Sequence, residues 1–251
     1  MPTKRVEFNG SNGQRLSGRL DLPEGPPRCV GLFAHCFTCS KESAAAATIS
    51  RELSRQGIGV LRFDFTGLGE STGEFANTDF TSNIADLHDA ARWLADELEP
   101  PQLLVGHSLG GAAALRAAAD LPNVRAVSTI GAPATPSHVE RLLRGSVAEI
   151  RDKGSAEVGI GGRSFRISRA FLDDLADYDR RDGLARLGAA KLLFHAVDDE
   201  VVALESASRL FAKLTHPKSF VALESADHLL TTRRDGEDVA RILAAWVTRY
   251  V

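Results

Sequence analysis

Apolar runs that alternate with amphipathic stretches are the dominant pattern of the chain. The runs that predict buried strands lie at residues 29–34, 60–65, 102–106, 124–131, 191–196 and 219–223. The stretches that predict helices lie at residues 41–56, 80–98, 108–120 and 204–214. Two shorter segments, 5–8 and 15–22, flank a Gly- and Asn-rich turn and predict an N-terminal hairpin. Strands separated by helices indicate an α/β protein with a mostly parallel central sheet and helices on both faces.

The alternation stops between residues 134 and 190. This segment is too long for a connection inside a compact domain. It holds an amphipathic stretch at 137–153, a Gly-rich turn at 159–162 and a predicted helix near 168–178. We interpret 134–190 as a small cap insertion over an active site; the alternative is an ordinary crossover with a long surface excursion. Residues 1–251 are otherwise expected to form a single domain.

Gly106-His107-Ser108-Leu109-Gly110 joins a predicted strand to a predicted helix. This context makes Ser108 a candidate nucleophile on a strained turn, and the alternative is a purely structural glycine turn. The backbone N–H of Leu109 lies at the start of the helix, where N–H groups lack internal partners and favour negative charge. Leu109 is therefore a candidate oxyanion-hole donor.

A nucleophilic serine of this kind needs a histidine base and an acid that orients the base, in the chain order serine, acid, histidine. The histidines that follow a predicted strand downstream of Ser108 are His195, His216 and His228. His228 lies just after the strand at 219–223, where the active sites of open parallel sheets are found, so we expect it to be the base. His216 precedes Pro217 in a turn before that strand and is expected to be structural.

The acid is expected in the loop after the strand at 191–196. Asp198, Asp199 and Glu200 follow one another there, and periodicity does not choose between them.

Composition restricts the class of protein further. The chain has 251 residues, 43% hydrophobic and 25% charged, with a net charge of −3 and no basic cluster, which argues against a nucleic-acid partner. No apolar run approaches the 18 residues of a membrane span, and the N-terminus lacks the apolar core of a signal peptide. Three cysteines, an odd number, predict a reducing, cytoplasmic location and no disulfide framework.

Two short motifs have alternative explanations. Cys36-Phe37-Thr38-Cys39 is a C-x-x-C sequence that could be redox-active or half of a zinc site, but no second cysteine pair completes the site. We expect its cysteines to be small packing groups. Asp64 precedes a turn that contains Gly67 and Gly69. This turn is not a dinucleotide-binding loop, because no helix opens there, and we expect Asp64 to have a structural role.

The motifs at 106–111, 195–202 and 226–228 resemble those of the α/β-hydrolase superfamily. The segments 34–41, 61–69, 216–220 and 227–230 look more specifically like the hydrolase half of bifunctional proteins that fuse an α/β-hydrolase to an OsmC-type peroxide-resistance domain. The resemblance covers nearly the whole chain and implies the α/β-hydrolase fold. It also implies that Asp199 is the acid and that the Phe37 N–H is the second oxyanion donor, with Cys36 in place of the usual glycine. No OsmC-like segment follows residue 251, so we expect a stand-alone relative or an excised domain.

The prediction is a serine hydrolase that cleaves short-acyl carboxylic esters, small-molecule substrates, without a cofactor or metal. The short cap and the low aromatic content, 6%, favour small acyl groups. Thioester hydrolysis and aminopeptidase-like amide hydrolysis use the same machinery and remain alternatives. A non-catalytic hydrolase-fold binding module is the alternative of another class.

Overall fold

A mostly parallel sheet of eight strands forms the centre of the structure, a computed structural model that describes residues 3–143, 145–181 and 183–251. Its strands are β1 (Thr3–Asn9), β2 (Arg15–Asp21), β3 (Cys29–Ala34), β4 (Ile58–Phe63), β5 (Leu103–His107), β6 (Ala126–Ile130), β9 (Ala190–Ala196) and β10 (Lys218–Leu223). They are ordered β1-β2-β4-β3-β5-β6-β9-β10. The pairs β1/β2 and β2/β4 are antiparallel, and every other pair in this sheet is parallel.

Helices cover both faces of the sheet. They are α1 (Ala44–Arg55), α2 (Phe80–Glu97), α3 (Leu109–Ala117), α6 (Leu204–Lys213) and α7 (Arg233–Val247). Successive side chains of a strand point to opposite faces, so in β3 Leu32 packs with α2 and α3 while Phe33 packs with α1 and α7. Both faces of the central strands are buried, which explains why these strands are continuous apolar runs rather than alternating ones. The predicted fold class is confirmed.

Local signals set the ends of two helices. Asp79 accepts a hydrogen bond from the Ser82 N–H at 2.7 Å, and the Ser82 hydroxyl bonds back to the Asp79 backbone, so a capping box begins α2. The predicted helix at 41–56 starts later than expected, at Ala44, because Lys41 is held outside it by Asp64. Gly57, with φ of 84°, turns the chain away after α1.

The described residues between β6 and β9 form short elements whose apolar side chains join the core on the face of the sheet that also carries α2 and α3. They are a 3-10 helix (Pro136–Leu143), α4 (Val147–Lys153), the antiparallel hairpin β7 (Ser155–Ile160) and β8 (Arg163–Ser168), α5 (Arg169–Arg180) and a 3-10 turn (Leu184–Arg186). The amphipathic stretch at 137–153 is split near Gly145, whose φ is 87°. The expected four-residue Gly-rich turn is shorter: Gly159 and Ile160 belong to β7, and only Gly161 and Gly162 make the turn.

One further expectation about secondary structure was wrong, and one helix was not foreseen. The strand predicted at 60–65 is Ile58–Phe63, because Asp64 leaves the sheet to bond Lys41 and the loop behind it. Helix α7 was not predicted. Its apolar positions nevertheless have helical spacing and pack on the face that also receives α1.

Candidate active site

Ser108 lies on a sharp turn between β5 and α3. Its φ of 54° and ψ of −123° are unusual for a residue with a side chain, and its N–H donates to the Ile130 carbonyl at 2.8 Å. A Cβ added to Gly106 would lie 2.4 Å from the Gly110 oxygen. One added to Gly110 would lie 2.3 Å from the His35 oxygen. The helix therefore packs so closely on the strands that only glycine fits on either side of the serine.

His228 and Asp199 form a buried pair at the carboxyl ends of β10 and β9. His228 Nδ1 donates to Asp199 Oδ2 at 2.7 Å. The other carboxylate oxygen, Oδ1, accepts the N–H groups of Val201 at 2.9 Å and Val202 at 2.7 Å. Burial alone would raise the pKa of Asp199, but the hydrogen bonds from His228 and these two N–H groups hold that pKa below its usual value, so the carboxylate stays ionised.

The three neighbouring acids differ in position. Asp199 is buried against His228, whereas Asp198 and Glu200 are both exposed. The periodicity of the sequence does not choose among these three acids, and the structure places Asp199 against the histidine. His216 lies in the turn before β10, at the amino ends of the parallel strands, whereas Ser108 lies at their carboxyl ends.

Gly131, which sequence reasoning missed, joins the serine turn to the histidine pair. It follows Ile130, which binds the Ser108 backbone, and has φ of 57°. A Cβ at Gly131 would lie 3.1 Å from His228 Nδ1 and 3.4 Å from Asp199 Oδ2. Among the described residues no hydrogen bond joins the Ser108 hydroxyl to His228. In ligand-free sites such bonds are often long and tighten only with substrate bound.

His107 and His195 also hold this region and were not assigned roles from the sequence. His107 Nε2 lies 2.7 Å from the His228 carbonyl oxygen, so this nitrogen carries the proton and donates. Burial, together with the nearby His228, lowers the pKa of His107 to about 4, and the ring is neutral near pH 7. His195 Nε2 donates in the same way to the Val202 carbonyl at 2.7 Å, which fixes the loop that carries Asp199.

Phe37 lies in the loop after β3, against the start of α3. His35 Nε2 accepts the Phe65 N–H at 3.3 Å, so Nδ1 carries the proton and donates to the Cys36 carbonyl at 2.9 Å. Burial lowers the pKa of His35 and keeps the ring neutral. Phe37 and Leu109 line one small cavity of about 10 Å³. The two predicted oxyanion donors therefore belong to backbone segments that lie side by side.

Cys36 and Cys39 form a disulfide, with their Cα atoms 5.3 Å apart. The expectation that these cysteines are packing groups, in a chain without disulfides, was therefore wrong. An odd number of cysteines is compatible with one pair closed within a single turn. Cys29, on β3, is a buried free thiol.

A buried ion pair anchors the far end of the loop that begins at His35. Lys41 binds Asp64 through its N–H at 2.7 Å and its ammonium group at 2.5 Å, and the ammonium also contacts Glu70 at 2.8 Å. A Cβ at Gly69 would lie 2.1 Å from Asp64 Oδ2, so this glycine allows the turn to close over the carboxylate.

The free volume beside the candidate site differs between its two sides. On the side of Phe37, aromatic rings fill the volume: the Phe37 ring lies 5.4 Å from that of Phe171 and 5.8 Å from that of Phe75. On the other side, a cleft of about 460 Å³ borders His228 and Leu229. A larger cleft of about 660 Å³ lies at the amino ends of the strands, remote from Ser108.

In the described ranges no group of three or more His, Cys, Asp or Glu side chains could hold a metal ion. Over the same residues no helix is long and apolar enough to cross a membrane.

The order and direction of the strands agree with comparisons to known proteins. Residues 32–244 match the model of the Alpha/beta hydrolase family. The chain belongs to this family. Its fold superposes on the esterase domain of a Rhodothermus marinus protein with a TM-score of 0.82 and 47% identity, covering 100% of this chain and 99% of that one.

Two curated relatives are more distant. Palmitoyl-protein thioesterase ABHD10 of mouse mitochondria is 24% identical over 81% of this chain and 70% of its own length. A Mycobacterium marinum protein named isopentenyl-diphosphate delta-isomerase is 31% identical over 63% of this chain, but the match spans only 45% of that protein.

Proposed function

We propose that the protein is a serine hydrolase that cleaves short-acyl carboxylic esters through Ser108, His228 and Asp199. The observation that carries the proposal is the 2.7 Å contact between His228 Nδ1 and an ionised, buried Asp199, next to a serine in a strained turn. The Rhodothermus marinus relative, named an esterase domain, supports the same class of reaction.

The steps follow from this geometry. Because Asp199 binds Nδ1–H, the lone pair of the His228 ring is on Nε2, the atom that takes the hydroxyl proton of Ser108 as its oxygen attacks the carbonyl carbon. His228 then gives that proton to the leaving alcohol, and an acyl-enzyme remains on Ser108. Water, deprotonated by the same nitrogen, releases the acid.

The negative charge that develops on the substrate oxygen needs donors already in place. We assign this role to the backbone N–H groups of Leu109 and Phe37. Losing one such donor raises the barrier by roughly 3–4 kcal/mol in a serine protease, so positioning of the Phe37 loop is part of the proposed mechanism.

The preference for short acyl chains rests on the space around these donors. The cavity beside Phe37 and Leu109, about 10 Å³, leaves room for little more than one water. We propose that residues 134–190 act as a cap that limits this side, since Phe171 and Phe165 from this segment reach Phe37 and Phe75. Specificity constants for p-nitrophenyl esters should therefore peak at acetate to butyrate. A maximum at long-chain esters would contradict this assignment.

Thioester and amide hydrolysis remain the rival reactions within the class, and the similarity to a palmitoyl-protein thioesterase keeps thioesters among the substrates to test. The isomerase name of the Mycobacterium marinum relative is not carried over, because the match covers less than half of that protein. The finer resemblance to hydrolases fused to OsmC domains stays a proposal, supported by the motifs at 34–41 and 61–69.

Fluorophosphonate labelling tests the nucleophile and separates an enzyme from a binding module. We expect wild type to be labelled once, at Ser108, and Ser108→Ala to lose both labelling and ester turnover by several orders of magnitude. Ser50→Ala is the matched control, because Ser50 is a buried serine of α1 outside the site. Turnover by Ser108→Ala close to the wild-type rate would refute the mechanism.

A further inference from the structure

The Cys36–Cys39 disulfide closes the turn that carries Phe37, and nothing in the hydrolysis mechanism uses it. Within this turn the Cys39 N–H donates to the Cys36 carbonyl at 3.0 Å. Thr38 has φ of 59°, a conformation that β-branched residues rarely adopt. The backbone of this turn is therefore in an unfavourable conformation, and other interactions must hold it there.

The disulfide restrains the same peptide group that would bind the oxyanion. The Cys36 carbonyl and the Phe37 N–H belong to one planar peptide unit and point in opposite directions. Because His35 Nδ1 and the Cys39 N–H both donate to this carbonyl, they fix the direction of the Phe37 N–H. The bond between the two sulfurs holds Cys39 close enough to do so.

The cap segment and the ion pair hold the other sides of the loop. The Arg163 guanidinium, at the tip of the hairpin β7–β8, donates to the Thr38 carbonyl. Lys41 is bound to Asp64 at the end of the loop. Releasing the disulfide would thus free a short segment whose two ends stay fixed.

The two cysteine residues differ in exposure. Cys36 is buried, whereas Cys39 is partly exposed. A thiolate from outside reaches Cys39 Sγ first, forms a mixed disulfide with it, and expels the Cys36 thiolate, which takes up a proton. A second thiolate of the same reagent then displaces Cys39 and closes its own disulfide, so two electrons and two protons pass to the pair.

We propose that Cys36–Cys39 is a redox-modifiable site that controls the oxyanion loop: the disulfide form holds the Phe37 N–H in place, and reduction by a dithiol displaces it. The proposal rests on the proposed function, because the Phe37 N–H matters only if an oxyanion forms. Oxidation by a low-molecular-weight disulfide, which is itself reduced to two thiols, restores the bond.

Turnover in the two redox states is the first test. The protein is equilibrated with dithiothreitol or with oxidised glutathione, its thiols are counted by mass spectrometry after alkylation, and kcat and KM are measured with p-nitrophenyl acetate. Complete loss of one oxyanion donor costs about 100- to 1,000-fold in kcat. We expect a fall in kcat of at least tenfold on reduction, with little change in KM, and recovery on re-oxidation. Equal kcat values with proven reduction would overturn the proposal.

Two variants distinguish reduction of the Cys36–Cys39 bond from effects of the thiol reagent elsewhere in the protein. The double substitution Cys36→Ser with Cys39→Ser should be fixed at the low rate and ignore dithiothreitol. Cys29→Ala is the matched control and should keep the full redox response, because Cys29 is buried on β3 and burial raises the pKa of its thiol to about 11. A double variant that works at the oxidised wild-type rate would also overturn the proposal.

Hydrogen exchange provides a readout that needs no substrate. Reduction should speed amide exchange in peptides covering 36–40 and leave β5 and α3 unchanged. Unchanged exchange in the reduced protein would refute the loop mechanism whatever the activity. The two proposals fail separately: absence of Ser108-dependent turnover in both redox states refutes the hydrolase, whereas equal turnover in both refutes only the switch.

Discussion

Replacing Asp199 by asparagine tests whether the carboxylate sets the tautomer of His228. The two oxygens of Asp199 have different partners: Oδ1 accepts two backbone N–H groups, and Oδ2 accepts His228 Nδ1–H. An asparagine has only one oxygen, and the two backbone donors at Oδ1 will attract it. Its NH2 group then faces His228 Nδ1, which must become an acceptor.

The expected loss of kcat follows from this change in the role of Nδ1 from donor to acceptor. With Nδ1 accepting, the ring proton moves to Nε2, the atom that should take the proton of Ser108, and the base is blocked. The same tautomer error costs about 10⁴-fold in kcat in a serine protease, which equals about 5 kcal/mol of barrier. Because the asparagine keeps the size and the backbone contacts of the aspartate, we expect the fold and KM to change little.

The assay is ester turnover by purified Asp199→Asn, with circular dichroism and thermal unfolding to establish that the protein is folded. Asp198→Asn and Glu200→Gln are the matched controls, since both carboxylates are exposed neighbours in the same loop. We expect each control to stay within a few-fold of wild type. If Asp198→Asn were the more damaging change, or if Asp199→Asn kept more than a tenth of wild-type kcat, the assignment of the acid would be wrong.

Two further substitutions test the support of the site. Gly131→Ala should lower kcat more than tenfold, because the added Cβ would meet the His228 ring at 3.1 Å and φ at this position is 57°; steady-state kinetics of the variant measure this. His107→Gln should remove a pH dependence of stability. The pKa of His107 is about 4 in the folded protein and near 6.5 when unfolded, so below pH 6.5 the unfolded state binds more protons and wild type loses stability down to about pH 4. At pH 4.5 this loss is about 2 kcal/mol relative to the variant, measured by urea unfolding at pH 7 and 4.5.

Each of these has its own control. Gly188→Ala adds a Cβ where no atom lies within 4 Å and φ is not positive, so its kcat should equal that of wild type; a Gly131→Ala enzyme as active as Gly188→Ala would contradict the contact with His228. For His107, parallel unfolding curves of wild type and variant across the two pH values would show that this ring does not titrate on unfolding as argued.

The parts of the site that follow from the sequence are those encoded locally. The turn at Ser108 was predictable because the two glycines, the apolar strand and the helix formers lie within a dozen consecutive residues. The loops of Asp199 and His228 were predictable because each directly follows a recognisable buried strand. Helix α7 could also have been found: Val239, Leu243 and Val247 repeat at a spacing of four, although many charged residues lie between them.

The contacts between loops were beyond local patterns. Gly131 looks like any glycine after a strand, and only the adjacency of β6, β9 and β10 brings it against His228. The Cys36–Cys39 bond was missed for a related reason. The bond forms across a tight turn in which Thr38 has a left-handed conformation. Glycine is the residue that usually indicates such a conformation, and residues 36–39 contain none.

Under the proposed mechanism, the backbone of Ser108 sets the needs of activity against those of stability. A residue with a side chain in this region of φ and ψ costs about 1–3 kcal/mol, while a whole domain is stable by only about 5–15 kcal/mol. Glycine would adopt the turn more easily but carries no nucleophile. The strained turn therefore makes the protein less stable than its architecture allows, and under the proposed mechanism the large, doubly covered sheet compensates for a conformation that presents the nucleophile.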